Sequence, residues 1–443
     1  MRADLLVFNI GQLVSLAGVG LPPGPRRGDA MRSLSIVKNA AIAIRDGHVL
    51  ATGASRDLQM HVRAATSLDA GGRAVVPGFV DPHTHLPWAG ERTAEFEMRI
   101  GGATYMEIMA AGGGIARTVS QTRAASLEQL IAETRARLDR MLASGTTTAE
   151  AKTGYGLNLP DEIKQLDAIA ELQRTHPIDL APTFLGAHAI PPEYRADPEA
   201  YVDLLVSQVL PAVQEHWGGL RAGFEAGWPL FCDVFCETGA FDLDQSRRIL
   251  DRARSLGFGL KMHVDEFAPL GGTPLAVSLG AVSADHLVTT PPEHLEALAR
   301  SNTIGVALPG TPFGLAQHAY APGRALIDLG GALALATDLN PGTCWCESMP
   351  FMMALACRYM RLTPAEALTA ATINAAYAIG LGHRVGSLEP GKLADLVVLD
   401  GDDYRLLGYR FGANPAHKVI KRGLVMISST WSMCRAGSPR LAG

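Results

Sequence analysis

The sequence predicts an α/β protein, a TIM-like (β/α)8 barrel with a small composite β-sandwich domain formed by both chain ends. Three observations carry this. Through the middle of the 443 residues, short apolar runs alternate with longer segments of helical periodicity. Both ends are instead rich in strand and turn signals. Polar, chemistry-bearing residues fall just after the apolar runs, where a barrel keeps its active site. The same alternation suits an open doubly wound sheet, but no dinucleotide fingerprint follows the first run.

The first 70 or so residues hold the opening β-rich part. Leu5–Ile10 is a short apolar run, and Ile42–Leu50 places Asp46-Gly47 between two apolar segments, a two-residue hairpin turn. Pro22–Gly28 reads as an exposed loop between them. Eight candidate barrel strands follow: Val75–Asp81, Thr146–Ala151, Leu180–Ala187, Phe231–Cys236, Gly259–His263, Ala281–His286, Thr303–Leu308 and Ala332–Thr337. Leu127, Leu130, Ile131, Leu138 and Met141 fit one face of an intervening helix, with Ser126 and Gln129 spaced as a capping box. Thr363-Pro364-Ala365-Glu366 combines a capping box with proline at the first helical position. After the turn-rich link Gly386–Lys392, Leu396–Leu399 and Lys418–Ile420 read as strands. The expected division is residues 1–74 with 386–443 as the composite domain and 75–385 as the barrel.

Composition removes several classes. An apolar fraction of 47% supports a large core, and a net charge of −5 argues against a nucleic-acid partner. The N-terminus has an early acid and no long apolar stretch, so neither a signal peptide nor a membrane span is expected. Six cysteines in so long a chain make no disulfide framework. The expectation is a reduced, cytoplasmic enzyme acting on a small molecule.

The chemistry starts at Asp81-Pro82-His83-Thr84-His85. Side chains alternate along an extended backbone, so His83 and His85 share a face just past a strand end. The other strand ends carry Lys152 and Tyr155, His188, Glu237, His263 and Glu266, His286, and Asp338. Three imidazoles and a carboxylate suit one divalent ion, Zn2+ or Fe2+, and the assigned set is His83, His85, His263 and Asp338. Such an ion activates a water. Glu266, three residues past His263, is the expected general base and later general acid. His286 is the expected partner of the reacting oxygen. The catalytic set is thus Glu266, His286 and Asp338.

Lys152 reads as an ordinary lysine, salt-bridged or touching substrate; a carboxylated bridging form is the alternative. Arg92 is either an anchor for an acidic substrate or a solvated arginine. Tyr155 lies in a glycine-flanked loop, placed to contact a ligand or to cover the barrel. Gly112-Gly113-Gly114 is no phosphate loop, since no Gly-Lys-Ser/Thr follows, and is a candidate lid. Cys344 and Cys346 flank Trp345 near Asp338, where packing is the expected role, and Cys232 and Cys236 are expected to be buried structural thiols.

Five stretches carry a family resemblance: Pro77–His85, Thr146–Leu157, Phe184–Pro192, Ser283–Leu287 and Leu335–Thr343. They are similar to the imidazolonepropionases of the amidohydrolase superfamily, over roughly Val75 to Ala378. The resemblance implies hydrolysis of 4-imidazolone-5-propanoate to N-formimino-L-glutamate in histidine degradation, with one zinc or iron ion on His83, His85, His263 and Asp338. It implies substrate contacts at Arg92, Tyr155, His188, Glu266, Asn340, Gly342 and Thr343, and a homodimer. Pro87-Trp88 and Cys344-Trp345-Cys346 depart from the usual pattern near the pocket. The competing readings are another amidohydrolase, acting on a different cyclic amide or deaminating an amino-heterocycle, and a catalytically silent metal-binding scaffold.

Overall fold

In the computed structural model, which describes residues 1–18, 20–103, 107 and 113–428, the chain forms two eight-stranded sheets. The first is made by the chain ends. It contains β1 (Arg2–Val14), β2 (Ile36–Arg45), β3 (His48–Ala54), β4 (Arg63–Asp69), β5 (Ala74–Pro77), and, from the far end, β14 (Leu396–Leu399), β15 (Ala416–Lys421) and β16 (Leu424–Ser428). Its order is β16-β15-β14-β5-β1-β2-β3, with β4 also on β1. Asp46 and Gly47 form the β2–β3 turn, both at positive φ, as a tight hairpin requires.

The second sheet is all parallel: β6 (Phe79–Asp81), β7 (Thr146–Lys152), β8 (Asp179–Ala187), β9 (Phe231–Cys236), β10 (Gly259–Val264), β11 (Ser283–His286), β12 (Ile304–Ala307) and β13 (Leu333–Leu335), paired in sequence order. Parallel neighbours need long crossovers, and helices such as Leu127–Ala143 and Leu159–Thr175 supply them. Ser126 caps the first of these by accepting from the Gln129 amide, and Leu130, Leu138 and Met141 are its buried face. The capping box at Thr363 and Glu366 is formed in both directions. The ring closes through the residues after its first and last strands: Asp338 N–H donates to the His83 carbonyl at 3.1 Å, and His85 N–H to the Leu339 carbonyl at 3.0 Å.

One expectation is corrected. Val75–Asp81 is two strands, not one. β5 belongs to the small sheet and β6 opens the barrel, with Gly78 N–H donating to the Asp395 carbonyl between them. A Cβ at Gly78 would stand 2.3 Å from Thr147 Oγ1, so only glycine fits at this crossing. The run is continuously apolar because both faces are buried. Val75 packs into the small-sheet core with Leu396 and Val398, while Val76 and Val397 join the barrel core. Lys421 Nζ adds a polar tie, reaching Asp395 at 2.6 Å and Asp179 of β8 at 2.7 Å. Gly112, part of the candidate lid, lies outside the described residues. The described cysteines are free thiols, and Cys232 and Cys236 are buried as expected. Among the described residues no helix is long and apolar enough to cross a membrane.

Candidate active site

The barrel brings the assigned metal residues to one point. His83, His85, His263 and Asp338 are all buried. Asp338 Oδ1 lies 3.6 Å from His83 Nε2 and 3.5 Å from His85 Nε2. His263 Nε2 is 3.5 Å from His85 Nε2. Burial, joined by the positive charges around them, holds His83 and His85 well below the usual imidazole range. They are therefore neutral, the form that ligates a metal. His83 Nε2 is buried without a hydrogen-bond partner, and the atoms of His83, His85 and Asp338 all lie within 4.8 Å of one another. An unpartnered nitrogen facing a carboxylate and two more imidazoles fits a divalent cation. Asp338 sits at φ +55°, and its other oxygen accepts from Thr311 Oγ1 at 2.5 Å, which fixes which oxygen faces the cluster.

Glu266 and His286 stand beside this cluster as expected, with Oε2 and Nε2 3.6 Å apart. Burial, then the nearby Asp338 and Glu237 carboxylates, pushes the Glu266 carboxyl well above its ordinary value. Burial takes His286 down to about 3. Glu237, on the rim as predicted, is a brace: its carboxylate accepts from the amides of Phe267 at 2.9 Å and Ala268 at 3.2 Å, pinning the segment that follows Glu266.

Lys152 is buried and salt-bridged. Its Nζ lies 2.6 Å from Asp233 and 2.8 Å from Glu150. Lys261 joins the same group, 2.9 Å from Glu150. Glu150, Asp233, Lys261 and Asp285 were not singled out from sequence. The signal for two of them was available, since Glu150 pairs with Lys152, and Lys261 with His263, at the spacing that puts strand residues on one face.

The outer site is a cavity of about 570 Å³ with Arg92, Arg99, Phe96, Gly342, Thr343 and Trp345 in its wall. Arg92 is tied to Glu95 at 2.7 Å, and the same Glu95 carboxylate accepts from Gly114 N–H at 3.1 Å. Gly342 lies against the Arg92 guanidinium, where a Cβ would be 2.4 Å from Nη1. Asn340 ties this wall together: Oδ1 accepts from the amides of Gly342 and Thr343 at 2.8 Å each, and Nδ2 donates to Asp338 O at 2.7 Å and Thr343 Oγ1 at 2.9 Å. His188 stacks on His85, with centroids 4.8 Å apart, and its Nδ1 is 2.9 Å from the Gly154 carbonyl. Tyr155 lies 5.2 Å from the His188 ring. Its loop is held by the Glu162 carboxylate, which accepts from the amides of Gly154, Gly156 and Leu157 at 2.8 to 3.1 Å. The unusual Trp88 and Trp345 meet edge to face at 5.1 Å, with Arg137 3.5 Å over the Trp88 ring. Trp88 is packing, whereas Trp345 also faces the cavity. Cys344 is buried and Cys346 half-buried, and no candidate metal group among the described residues contains a cysteine.

The amidohydrolase family model matches residues 247–427. An imidazolonepropionase from Herpetosiphon aurantiacus is 56% identical over 425 residues, covering 96% of this chain and 97% of that protein. One from Chloroflexus aggregans is 52% identical, covering 96% and 99%. The chain belongs to the imidazolonepropionase family. Its fold is shared with a solved adenosine deaminase from Xanthomonas campestris with bound zinc, at a TM-score of 0.71 and 19% identity, covering 96% of this chain and 93% of that one. As a member of the imidazolonepropionase family, the chain is a hydrolase of the amidohydrolase type, and the donor set described above is one that could hold a divalent metal.

Proposed function

We propose that this chain opens the ring of 4-imidazolone-5-propanoate by hydrolysis, giving N-formimino-L-glutamate in histidine degradation. The observation that carries the reading is the pairing of two unlike neighbours: a buried imidazole–carboxylate cluster with Glu266 at its edge, and a cavity with a guanidinium in its wall. The cluster suits attack on a ring amide, and the guanidinium suits the propionate that distinguishes this substrate. A divalent cation held by His83, His85, His263 and Asp338 would supply Lewis acidity, polarising the ring carbonyl and acidifying the attacking water. Zinc and ferrous iron both suit this donor set.

The residues of the chain divide the remaining work. Arg92, oriented by Glu95, binds the propionate carboxylate. Tyr155 and His188 hold the ring, and Asn340, Gly342 and Thr343 complete the contacts as the wall that Asn340 ties together. Glu266 takes the proton of the attacking water and returns it to the leaving ring nitrogen. His286, kept neutral by burial, donates to the carbonyl oxygen as charge builds there. Asp338 serves as ligand and fixes the cluster against Thr311. A cytoplasmic homodimer belongs to the same reading, supported by the family resemblance alone.

The test is turnover of freshly generated imidazolonepropionate, with formiminoglutamate quantified. Chelation is expected to abolish product, and Zn2+ or Fe2+ to restore it. A folded, metal-loaded sample that makes no formiminoglutamate contradicts the proposal, and other cyclic amides and amino-heterocycles would then be the substrates to screen.

A further inference from the structure

Beneath the cluster, five charged side chains are buried together without exposure: Glu150 and Lys152 on β7, Asp233 on β9, Lys261 on β10 and Asp285 on β11. Burying so many charges is costly unless each is paired. The pairing has a direction. Both ammonium groups lie on Glu150, at 2.8 and 2.9 Å, and Lys261 also donates to the Pro82 carbonyl at 2.7 Å. Asp285 Oδ2 stands 3.9 Å from Lys152 and 3.8 Å from Lys261, but only 2.6 Å from Nδ1 of His83. Asp233 Oδ2 accepts from Lys152 and lies 3.0 Å from Nδ1 of His263, in poorer alignment.

Two consequences follow from the chemistry. A neutral imidazole whose Nδ1–H donates to a carboxylate has its lone pair on Nε2, the atom that His83 turns to the cluster. Separately, His83, Glu150 and Asp285 bring ligand atoms within 4.8 Å of one another, a group that could take a second cation only by displacing the proton that His83 Nδ1 gives to Asp285. The two ammonium groups stand there instead, and a second divalent ion would have to drive them, charged, into the barrel core.

We propose that Asp285, and more weakly Asp233, are positioning residues that fix the metal-facing nitrogens of His83 and His263, and that Lys152 and Lys261 are built-in cations that hold the centre to one metal ion. This rests on the metal assignment above.

The experiment is zinc binding to the apo-protein, read by competition with a chromophoric chelator and by elemental analysis at excess zinc, beside the apo-protein's Tm. Asp285→Asn leaves a side chain of the same shape that no longer dictates which ring nitrogen carries the proton. Its zinc Kd is expected to rise roughly 10- to 100-fold, the usual cost of losing such a partner, with a smaller rise for Asp233→Asn. Wild type is expected to hold one zinc per chain. Lys261→Met is expected to take up more than one, and the double variant Glu150→Gln/Lys261→Met, which removes the carboxylate along with its cation, to return to one. Asp285→Asn binding zinc as tightly as wild type, whatever its Tm, overturns the positioning role. Folded Lys261→Met that stays at one zinc overturns the cation role. The Asp285→Asn and Asp233→Asn affinities stand even where Lys261→Met does not fold, and Lys261→Gln then takes its place in the stoichiometry test. Wild type that binds no zinc would instead overturn the metal assignment itself.

Discussion

His83 and Arg92 are near neighbours in sequence, yet they belong to differently built halves of one site. The floor is made by strands. Its groups are fully buried, spaced two residues apart along β7 and β10, and fixed by ion pairs such as Lys152–Asp233 at 2.6 Å. The mouth is made by loops held by polar side chains: Glu95 for Arg92, Glu162 with Gln165 and Arg123 for the Tyr155 turn, Asn340 for the Gly342 wall. The contrast suits the division of labour. Chemistry needs groups that do not move, and β-strands of a closed barrel give that. Selection of a substrate needs adjustable contacts, and loops on a rigid scaffold give that. If the division is right, changes at the mouth alter substrate binding and leave metal content alone.

The largest effect expected at the mouth is from Arg92→Ala. Loss of a charged hydrogen-bonding partner is worth about 1.5–3 kcal/mol, roughly 10- to 100-fold in kcat/KM, carried mostly by KM. An unchanged KM for imidazolonepropionate would detach Arg92 from the propionate. Gly342→Ala is milder. Its Cβ would fall 2.4 Å from Arg92 Nη1, so the guanidinium must shift. A KM raised roughly 3- to 10-fold is expected, below the Arg92→Ala range because the contact is weakened and not lost, at about the worth of a single neutral hydrogen bond, with one metal ion per chain retained. Loss of metal in this variant would show that mouth and floor are not separable. Trp345→Ala should be smallest. It removes the edge-to-face contact with Trp88 and should cost ~0.5–1.5 kcal/mol in chemical denaturation, with little change in turnover. A large fall in kcat there would make Trp345 a substrate contact and not a wall.

The same contrast explains what could be read from the sequence. His83 and His85 are legible because the extended segment just past β6, bridged at Thr84 to Leu339, puts alternate residues on one face. The strand-end positions of His263, His286 and Asp338 follow from the barrel itself. Glu150 with Lys152, and Lys261 with His263, obey the identical spacing, and it is their burial that hides them, since a charged residue in a strand usually faces water. Val75–Asp81 read as one strand because periodicity does not separate one twice-covered strand from two that meet at Gly78. The bracing of the mouth is less legible. Glu237 sits on the rim yet holds Phe267 and Ala268, and the Asn340 amide folds its own loop, because such hydrogen bonds depend on loop paths that no repeat encodes.

The most direct test of the account is Glu266→Gln, measured for metal content and for turnover in the same preparation. The floor should keep its single metal ion, because Glu266 stands beside the ligand set and outside it. Turnover should fall by about 10²- to 10⁴-fold, the usual contribution of a general base. A variant that holds its metal and turns over imidazolonepropionate at the wild-type rate would contradict the proton-transfer role on which the mechanism depends.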